Sequence, residues 1–143
     1  MKFDFKKWPC LPCDAFPDRI WALRPTIYIA IKYQSQRLRA FALLDTGADY
    51  CMFPKWIGER LGIEIPAGKK LEFRGAAGGV RTAYFHDVVI EIGGWDHKCY
   101  AGFTCEPDEP QLPYGILGTL GFFDSHEVIF NVDKNTIKIK KLH

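Results

Sequence analysis

Serine is scarce in this chain, because Ser35 and Ser125 are the only two among 143 residues. Neither lies in a Gly-x-Ser-x-Gly elbow, the sharp turn from which α/β hydrolases present a nucleophilic serine. Ser35 falls in a polar turn, and Ser125 falls in Asp124-Ser125-His126, which has no glycine of the kind that an active-site turn requires. The sequence therefore argues against nucleophilic serine catalysis.

Long apolar runs and blocks of like charge are also missing. No stretch approaches the ~18 apolar residues needed to span a bilayer, and the charged start, Met1 to Trp8, is not followed by the apolar core of a secretory signal. Nineteen Lys and Arg against seventeen Asp and Glu give a formal charge of +2. We therefore expect a cytoplasmic protein with no membrane partner and no nucleic-acid partner.

Five cysteines, an odd number without a signal peptide, indicate free thiols rather than a disulfide framework. Cys10-Leu11-Pro12-Cys13 has the spacing of a zinc half-site, but no second CxxC follows, and the remaining candidate ligands are His97, Cys99 and Cys105. We expect no metal and no cofactor, with a CxxC-dependent metal-binding protein as the alternative. Cys51, in an apolar run, is predicted to lie in the core.

The length fits one domain, and strand patterns dominate it. Strands are predicted at Thr26 to Tyr33, Arg37 to Leu44, Leu71 to Phe73, Val80 to Phe85, Val88 to Ile92, Tyr100 to Thr104, Glu127 to Asn131 and Thr136 to Lys140. Two short helices are predicted, over Pro54 to Leu61, which Gly62 ends, and over Thr119 to Phe123. The pattern predicts an all-β domain with one or two short helices.

The most informative segment runs from Phe41 to Asp49, an apolar run that ends in Asp-Thr-Gly-Ala. It places the carboxylate of Asp45 at the end of a buried strand, where the chain turns through Thr46 and Gly47. The chain holds only one such segment, and hydrolysis by paired aspartates needs two carboxylates close enough to share a proton. If the segment is catalytic, the enzyme is a symmetric homodimer in which each subunit gives one Asp45.

Four elements in a fixed order carry a family resemblance. They are Trp21-Ala22-Leu23-Arg24-Pro25, Leu43-Leu44-Asp45-Thr46-Gly47-Ala48-Asp49, Arg74-Gly75-Ala76-Ala77-Gly78-Gly79-Val80 and Pro113-Tyr114-Gly115-Ile116-Leu117-Gly118. From about Trp21 to Phe123 the chain resembles the retropepsin family, the single-domain aspartic proteases of retroviral type. The resemblance implies a closed acid-protease β-barrel with a β-hairpin flap over residues 21–143, and leaves residues 1–20 as an N-terminal extension of uncertain structure.

The resemblance also implies a role for each motif residue. Asp45 is the catalytic acid and base, Thr46 hydrogen-bonds across the dimer, and Gly47 lets the substrate backbone approach. The flap, formed by Gly75, Ala76, Ala77, Gly78 and Gly79, closes over a bound peptide or protein substrate. Ala48, Asp49, Tyr114 and Ile116 fall at positions that line substrate subsites, and Arg24 and Asp49 fall at the dimer interface.

Two departures from the family pattern affect the dimer. Thr119 stands where the family usually has an arginine that supports the acid matching Asp49. The chain also continues past the family's usual end through a hairpin from Glu127 to His143. The alternative to an endopeptidase is a non-catalytic dimerisation or peptide-binding module that keeps the retropepsin fold.

Overall fold

The computed structural model describes residues 1–74, 78–105 and 112–143. Strands hold 57% of the chain and helices 7%, so the predicted all-β class is confirmed. The strands are β1 (Lys2–Phe3), β2 (Lys6–Pro9), β3 (Trp21–Arg24), β4 (Thr26–Tyr33), β5 (Gln36–Leu44), β6 (Met52–Phe53), β7 (Lys69–Arg74), β8 (Val80–Ile92), β9 (Trp95–Thr104), β10 (Gly115–Leu117), β11 (His126–Asn131) and β12 (Thr136–Lys141). The helices are α1 (Lys55–Arg60) and a 3₁₀ helix (Ile65–Ala67).

Six strands close into a barrel, as predicted. Hydrogen bonds join them in the order β4, β5, β10, β6, β9 and β8, and β8 returns to pair with β4, with Ile31 opposite Ile90. The β5–β10 and β6–β9 pairs are parallel, and β7 pairs with β8 outside the ring. Alternate side chains point inward and form one apolar core, in which Phe53, Phe103 and Phe122 are among the largest fully buried side chains.

The β4–β5 hairpin, predicted from two β-prone runs, is confirmed. The isoleucines of β4 at positions 27, 29 and 31 are buried, and so are Ala40, Ala42 and Leu44 on β5. Gln34, with φ of 51°, turns the chain between the strands. The hairpin delivers Asp45 to the end of β5, at one rim of the barrel.

The strand prediction was wrong between Phe85 and Val88, where a break was expected. The polar pair His86 and Asp87 does not interrupt β8, because these residues pair with Ala101 and Tyr100 of β9. Likewise β9 starts at Trp95, five residues before the predicted strand.

Of the two predicted helices, one forms. Helix α1 follows Pro54 and ends before Gly62, whose φ of +73° suits glycine. The segment from Thr119 to Phe123 is a series of turns, which corrects the second prediction. Gly121 there has φ of +103°, outside the helical region, and Leu120 forms a β-bridge with Tyr50.

Both chain ends pair with other strands. The predicted C-terminal hairpin is confirmed as β11 and β12, and β12 alternates buried Ile137 and Ile139 with exposed Lys138 and Lys140. Strand β1 adds to the outer edge of β12, and β2 pairs with β3. The domain boundary between residues 20 and 21 stays a prediction.

Two further expectations concern cysteines and membrane segments. All five cysteines are free thiols, and Cys51 is buried, as predicted. In the ranges described above, no helix is long and apolar enough to cross a membrane.

Candidate active site

Asp45 stands at the point where β5 leaves the barrel. Its side chain is half-buried, whereas Leu44 before it is buried and Thr46 after it is exposed. The Leu44 N–H donates to the carbonyl oxygen of Pro25 at 2.9 Å, so the last residue of β5 is still fixed to the neighbouring chain segment. The carboxylate is therefore carried from a rigid strand to the surface within one residue.

A second strand fixes the aspartate from the other side. Parallel pairing sets Leu44 of β5 beside Leu117 of β10, and the Asp45 N–H donates to the Leu117 carbonyl oxygen at 3.1 Å. Position 118 must then be small, because a Cβ there would overlap the carbonyl oxygens of Tyr50 and Ala48. A backbone bond from β10 thus positions Asp45.

The turn that follows binds one oxygen of the carboxylate. The Gly47 N–H donates to Oδ1 of Asp45 at 2.8 Å, and the Ala48 N–H donates to the Asp45 carbonyl oxygen at 3.2 Å. Within the part of the chain that the structure describes, Oδ2 of Asp45 accepts no hydrogen bond from the protein. The turn therefore orients one carboxylate oxygen, and the other has no hydrogen-bond donor among the described residues.

The segment after β10 holds the rest of the Asp-Thr-Gly turn. The N–H groups of Thr119 and Leu120 donate at 2.9 Å to the carbonyl oxygens of Ala48 and Asp49. The Thr119 hydroxyl lies 3.5 Å from the Thr46 carbonyl oxygen, a long contact. Thr119, at the family's arginine position, therefore supports the turn within the subunit through its backbone.

Cys51 packs behind this turn rather than at its surface. The Cys99 thiol lowers the pKa of Cys51 by hydrogen bonding, burial opposes this, and the Gly118 N–H adds to the lowering. The hydrogen bond to Cys51, together with burial, raises the pKa of Cys99. Because both thiols are buried, we assign them to packing behind the site and not to its chemistry.

Of the four predicted subsite residues, Ile116 lies on β10 and Tyr114 lies just before that strand. Ile116 is half-buried and lies between Leu43 of β5 and Met52 of β6. Tyr114 is half-buried, and its ring lies edge-on to Trp8 with centroids 5.0 Å apart. The other two, Ala48 and Asp49, follow the turn, and the Asp49 side chain is exposed.

Arg24 and Asp49 do not meet within one chain. The Arg24 guanidinium lies 3.4 Å from the Leu23 carbonyl oxygen. The ion pairs among the described residues join other groups, such as Arg37 with Glu91. The predicted contact between Arg24 and Asp49, which was expected across a dimer, stays a prediction.

The predicted flap lies at the end of the β7–β8 hairpin. Arg74 pairs with Val80 beside the tip. Gly75, Ala76 and Ala77 fall outside the described residues. Gly78 is exposed with φ of +89°, and a Cβ at Gly78 or Gly79 would meet nothing within 4 Å. The strands that would carry a flap are present, and closure over a substrate stays a prediction.

A metal site finds no support in the described ranges. No group of three or more His, Cys, Asp or Glu side chains there could hold a metal ion. The Cys10 thiol donates a long hydrogen bond, with its sulfur 3.6 Å from the Arg19 carbonyl oxygen, and Cys13 is exposed. Among the described residues, no such cluster includes Cys10 or Cys13, and the CxxC-dependent metal site stays an alternative.

The residues that support the Asp45 turn through their backbone groups were not predicted from the sequence. Leu117 accepts from Asp45, and Thr119 and Leu120 bind the turn, yet none of them was given a role in the site. Trp8, from the segment described as an uncertain extension, contacts Tyr114. The glycine that follows Ile116-Leu117 was the available signal, because a glycine between two apolar segments often marks close backbone approach.

The sequence matches a known protein family. Residues 33–119, more than half of the chain, match the aspartyl protease family. The chain therefore belongs to the aspartyl protease family. No curated protein matches the sequence.

A solved structure shares the retropepsin-like fold. A retropepsin-like aspartic protease from Rickettsia conorii aligns with a TM-score of 0.55 and 19% identity over 80% of this chain and 89% of that chain. EIAV protease in complex with the inhibitor HBY-793 aligns with a TM-score of 0.47 and 26% identity over 66% of this chain and 81% of that chain. The predicted retropepsin-like fold is confirmed.

Proposed function

We propose that this protein is an aspartic endopeptidase that acts as a homodimer and hydrolyses peptide bonds in peptide or protein substrates. The observation that carries the proposal is the setting of Asp45 in a member of the aspartyl protease family. The hydrogen bond from the Asp45 N–H to Leu117 fixes the backbone of the aspartate, the Gly47 N–H binds Oδ1, and Oδ2 has no donor among the described residues. A rigid acid with one free oxygen suits general acid–base chemistry.

The proposed reaction needs two subunits. Each contributes one Asp45, and two carboxylates in contact cannot both be ionised, so the pair shares a proton. One Asp45 carboxylate takes a proton from a water molecule as that water attacks the scissile carbonyl carbon. The protonated Asp45 donates its proton to the carbonyl oxygen, which gives a gem-diol. As the C–N bond then breaks, this Asp45, now a carboxylate, accepts a proton from one diol hydroxyl, and the Asp45 that took the water proton passes it to the leaving nitrogen. No covalent enzyme intermediate is required.

The proposed substrate contacts come from the Asp45 turn, from the residues at β10 and from the flap at the end of the β7–β8 hairpin. Thr46 and Gly47 support the pair of aspartates, and Gly47 has room for a close substrate backbone because it lacks a side chain. The proposed subsite residues are Ala48, Asp49, Tyr114 and Ile116. The glycine-rich flap at residues 75–79 would cover the bound peptide and exclude water.

Cleavage of a denatured protein tests the function. The purified protein is incubated with an unfolded substrate, with and without a statine-type inhibitor, and fragments are identified by mass spectrometry. We expect inhibitor-sensitive cleavage at defined peptide bonds. Binding of peptides without any cleavage, over a range of pH and enzyme concentrations at which the protein is dimeric, would instead identify a non-catalytic peptide-binding module.

A further inference from the structure

The outer faces of β5 and β10 carry a row of half-buried apolar side chains. On β5 these are Phe41 and Leu43, which alternate with buried residues because successive side chains of a strand point to opposite faces. The parallel register sets Ile116 beside Leu43, which places Tyr114, two residues earlier, near Phe41. The same alternation carries this face on to Asp45, the residue that follows β5. The row therefore runs along both strands and ends at the aspartate.

Trp8 covers the end of this row that is farther from Asp45. Its ring lies edge-on to Phe41, with centroids 5.6 Å apart, and edge-on to Tyr114, with centroids 5.0 Å apart. Aromatic rings favour this geometry, because the positive edge of one ring meets the negative face of the other. One tryptophan of β2 thus contacts both a residue of β5 and a proposed subsite residue.

Trp8 is itself held in one orientation. Its indole N–H donates to the hydroxyl of Thr26 at 3.0 Å, and Thr26 is buried. Its backbone pairs with Ala22 of β3, which is also buried. The ammonium of Lys6 lies 5.3 Å from the centroid of the Trp8 ring, within the range of a cation–π contact. A ring fixed in these ways is a rigid support for the side chain that packs against it.

A second tryptophan holds the backbone just before Tyr114. The indole N–H of Trp56, on α1, donates to the Leu112 carbonyl oxygen at 3.1 Å. On the other side of Tyr114, Gly115 enters β10 beside β5. The backbone is therefore fixed before and after Tyr114. In the described ranges, the ring contact recorded for Tyr114 is the one with Trp8, so this contact sets the orientation of its ring.

We propose that Trp8 is a positioning residue that sets the substrate specificity of the protease through Tyr114. This inference rests on the proposed function, in which Tyr114 and Ile116 line an apolar substrate subsite. With Trp8 against it, Tyr114 is a rigid wall, so the subsite has a fixed size and discriminates between apolar side chains of different size. The first twenty residues, to which Trp8 belongs, thereby take part in substrate selection.

Cleavage of matched peptides tests this role through a ratio of rates. A peptide that the wild type cleaves is prepared as a set, with each residue near the scissile bond changed in turn to Ala, Leu or Phe, and kcat/KM is measured for each member. We expect one position at which the wild type prefers a large apolar residue to Ala. In Trp8→Ala this preference should fall about tenfold, at the lower end of what apolar pockets provide for small differences in size. KM for the favoured peptide should rise with little change in kcat.

Further variants separate positioning from folding. Trp8→Phe keeps an aromatic ring against Tyr114 and should restore most of the preference, whereas Tyr114→Ala should lose it at the same peptide position. Trp8→Leu, which keeps apolar bulk without the edge-on geometry, serves the same test if the alanine variant does not fold. The matched control is Trp95→Ala, at a tryptophan 71% exposed at the start of β9, whose preference should equal that of the wild type.

Two results would overturn the positioning role in an active enzyme. The first is an unchanged order of preference in Trp8→Ala and Trp8→Leu. The second is an equal fall of kcat/KM for every peptide of the set, because a merely structural residue affects all substrates alike. A wild type that cleaves with no size preference at any position would also overturn it.

The outcomes separate this role from the proposed function. A wild-type protein that binds the peptides but does not cleave them refutes the protease, and the size preference is then read from dissociation constants measured by fluorescence polarisation. A fall of that preference in Trp8→Ala supports the role of Trp8 in peptide selection, and an unchanged preference refutes it. A wild type that neither cleaves nor binds any peptide overturns both proposals.

Discussion

The N–H of Asp45 donates a hydrogen bond of 3.1 Å to the carbonyl oxygen of Leu117, 72 residues further along the chain. This bond continues the parallel β5–β10 ladder by one residue beyond the last strand pair, Leu44 with Leu117. The aspartate is thus the residue at which the barrel ends and the surface begins. Rigid elements hold site residues more precisely than loops do, and here a carboxylate on a turn gains the rigidity of two strands.

We predict that Asp45→Asn abolishes cleavage and leaves the dimer intact. The amide keeps the size of the side chain and one oxygen that can accept from the Gly47 N–H. It cannot accept a proton from water or share one with its partner, so turnover should fall by about 10³-fold or more, the range for loss of a general acid–base. Peptide cleavage and sedimentation, run on the same preparation, measure the two effects. Wild-type turnover in the Asn variant would rule out the aspartic mechanism.

We predict that Gly118→Ala unfolds more easily than the wild type. The added Cβ would overlap the Tyr50 carbonyl oxygen and lie 2.7 Å from that of Ala48, and both are backbone atoms that cannot rotate away. Overpacking of this kind costs roughly 1–3 kcal/mol of the free energy of unfolding.

The matched control for that variant is Gly79→Ala. A Cβ at position 79 meets nothing within 4 Å, so the urea midpoint of this control should stay close to that of the wild type. Equal midpoints for the two alanine variants would show that the segment after β10 relaxes freely and does not clamp the Asp45 turn.

We predict that Arg24 and Asp49 pair across the dimer. Arg24→Ala should raise the dimer dissociation constant about tenfold, equivalent to about 1.4 kcal/mol. The Arg24 guanidinium has no carboxylate partner among the described residues of its own chain, so a partner in the second subunit can reach it. Arg39→Ala, at an exposed position of β5, is the control. A double-mutant cycle with Asp49→Ala isolates the pair, and additive effects of the two changes would refute the contact.

We predict that Gly78 sets the rate of flap closure. Gly78→Val places a β-branched residue at φ of +89°, which glycine tolerates and valine does not, so the tip should shift and turnover should fall several-fold with little change in Tm. Gly94→Val is a close control, because Gly94 has φ of +85° and a Cβ there would meet nothing within 4 Å, but Gly94 lies in the turn between β8 and β9. Equal turnover in both valine variants would show that residues 75–79 do not act as a flap.

Much of the fold could be predicted because its signals are local. The β-prone run from Thr26 to Tyr33 and the Gly62 stop each depend on neighbours in sequence, and both predictions are confirmed. The Asp-Thr-Gly motif placed Asp45 at a strand end for the same reason. Where a local signal decides the structure, a single sequence is sufficient.

The errors arose where distant segments override local preference. The sequence from Thr119 to Phe123 has helical character, but Leu120 bridges Tyr50 and Gly121 adopts a positive φ, so turns form instead. The supporting roles of Leu117 and Thr119 depend on backbone groups, which every residue carries, and thus leave no side-chain signature. The strands before Trp21 were missed because their partners, β3 and β12, lie elsewhere in the chain.

We predict that the free energy of unfolding falls between pH 7 and pH 5 through His126. Burial lowers the pKa of His126 below its ordinary value of 6.5, and the nearby His97 and Lys141 add to this, while a hydrogen bond to the Phe122 carbonyl oxygen and the charge of Asp124 oppose it. The unfolded chain therefore takes up a proton at higher pH than the folded one. The stabilisation is complete above the unfolded pKa and is lost as the pH falls through the lower folded pKa.

His126→Asn should remove that pH dependence, because the amide does not titrate and can still donate toward Phe122. Urea unfolding at pH 5, 6 and 7 measures the effect, and His143→Asn, at the exposed C-terminal residue, is the control. We expect the wild type and the control to lose stability in parallel on acidification, and the His126 variant to lose less. Identical slopes for all three proteins would show that other groups, and not the buried imidazole of His126, govern acid unfolding.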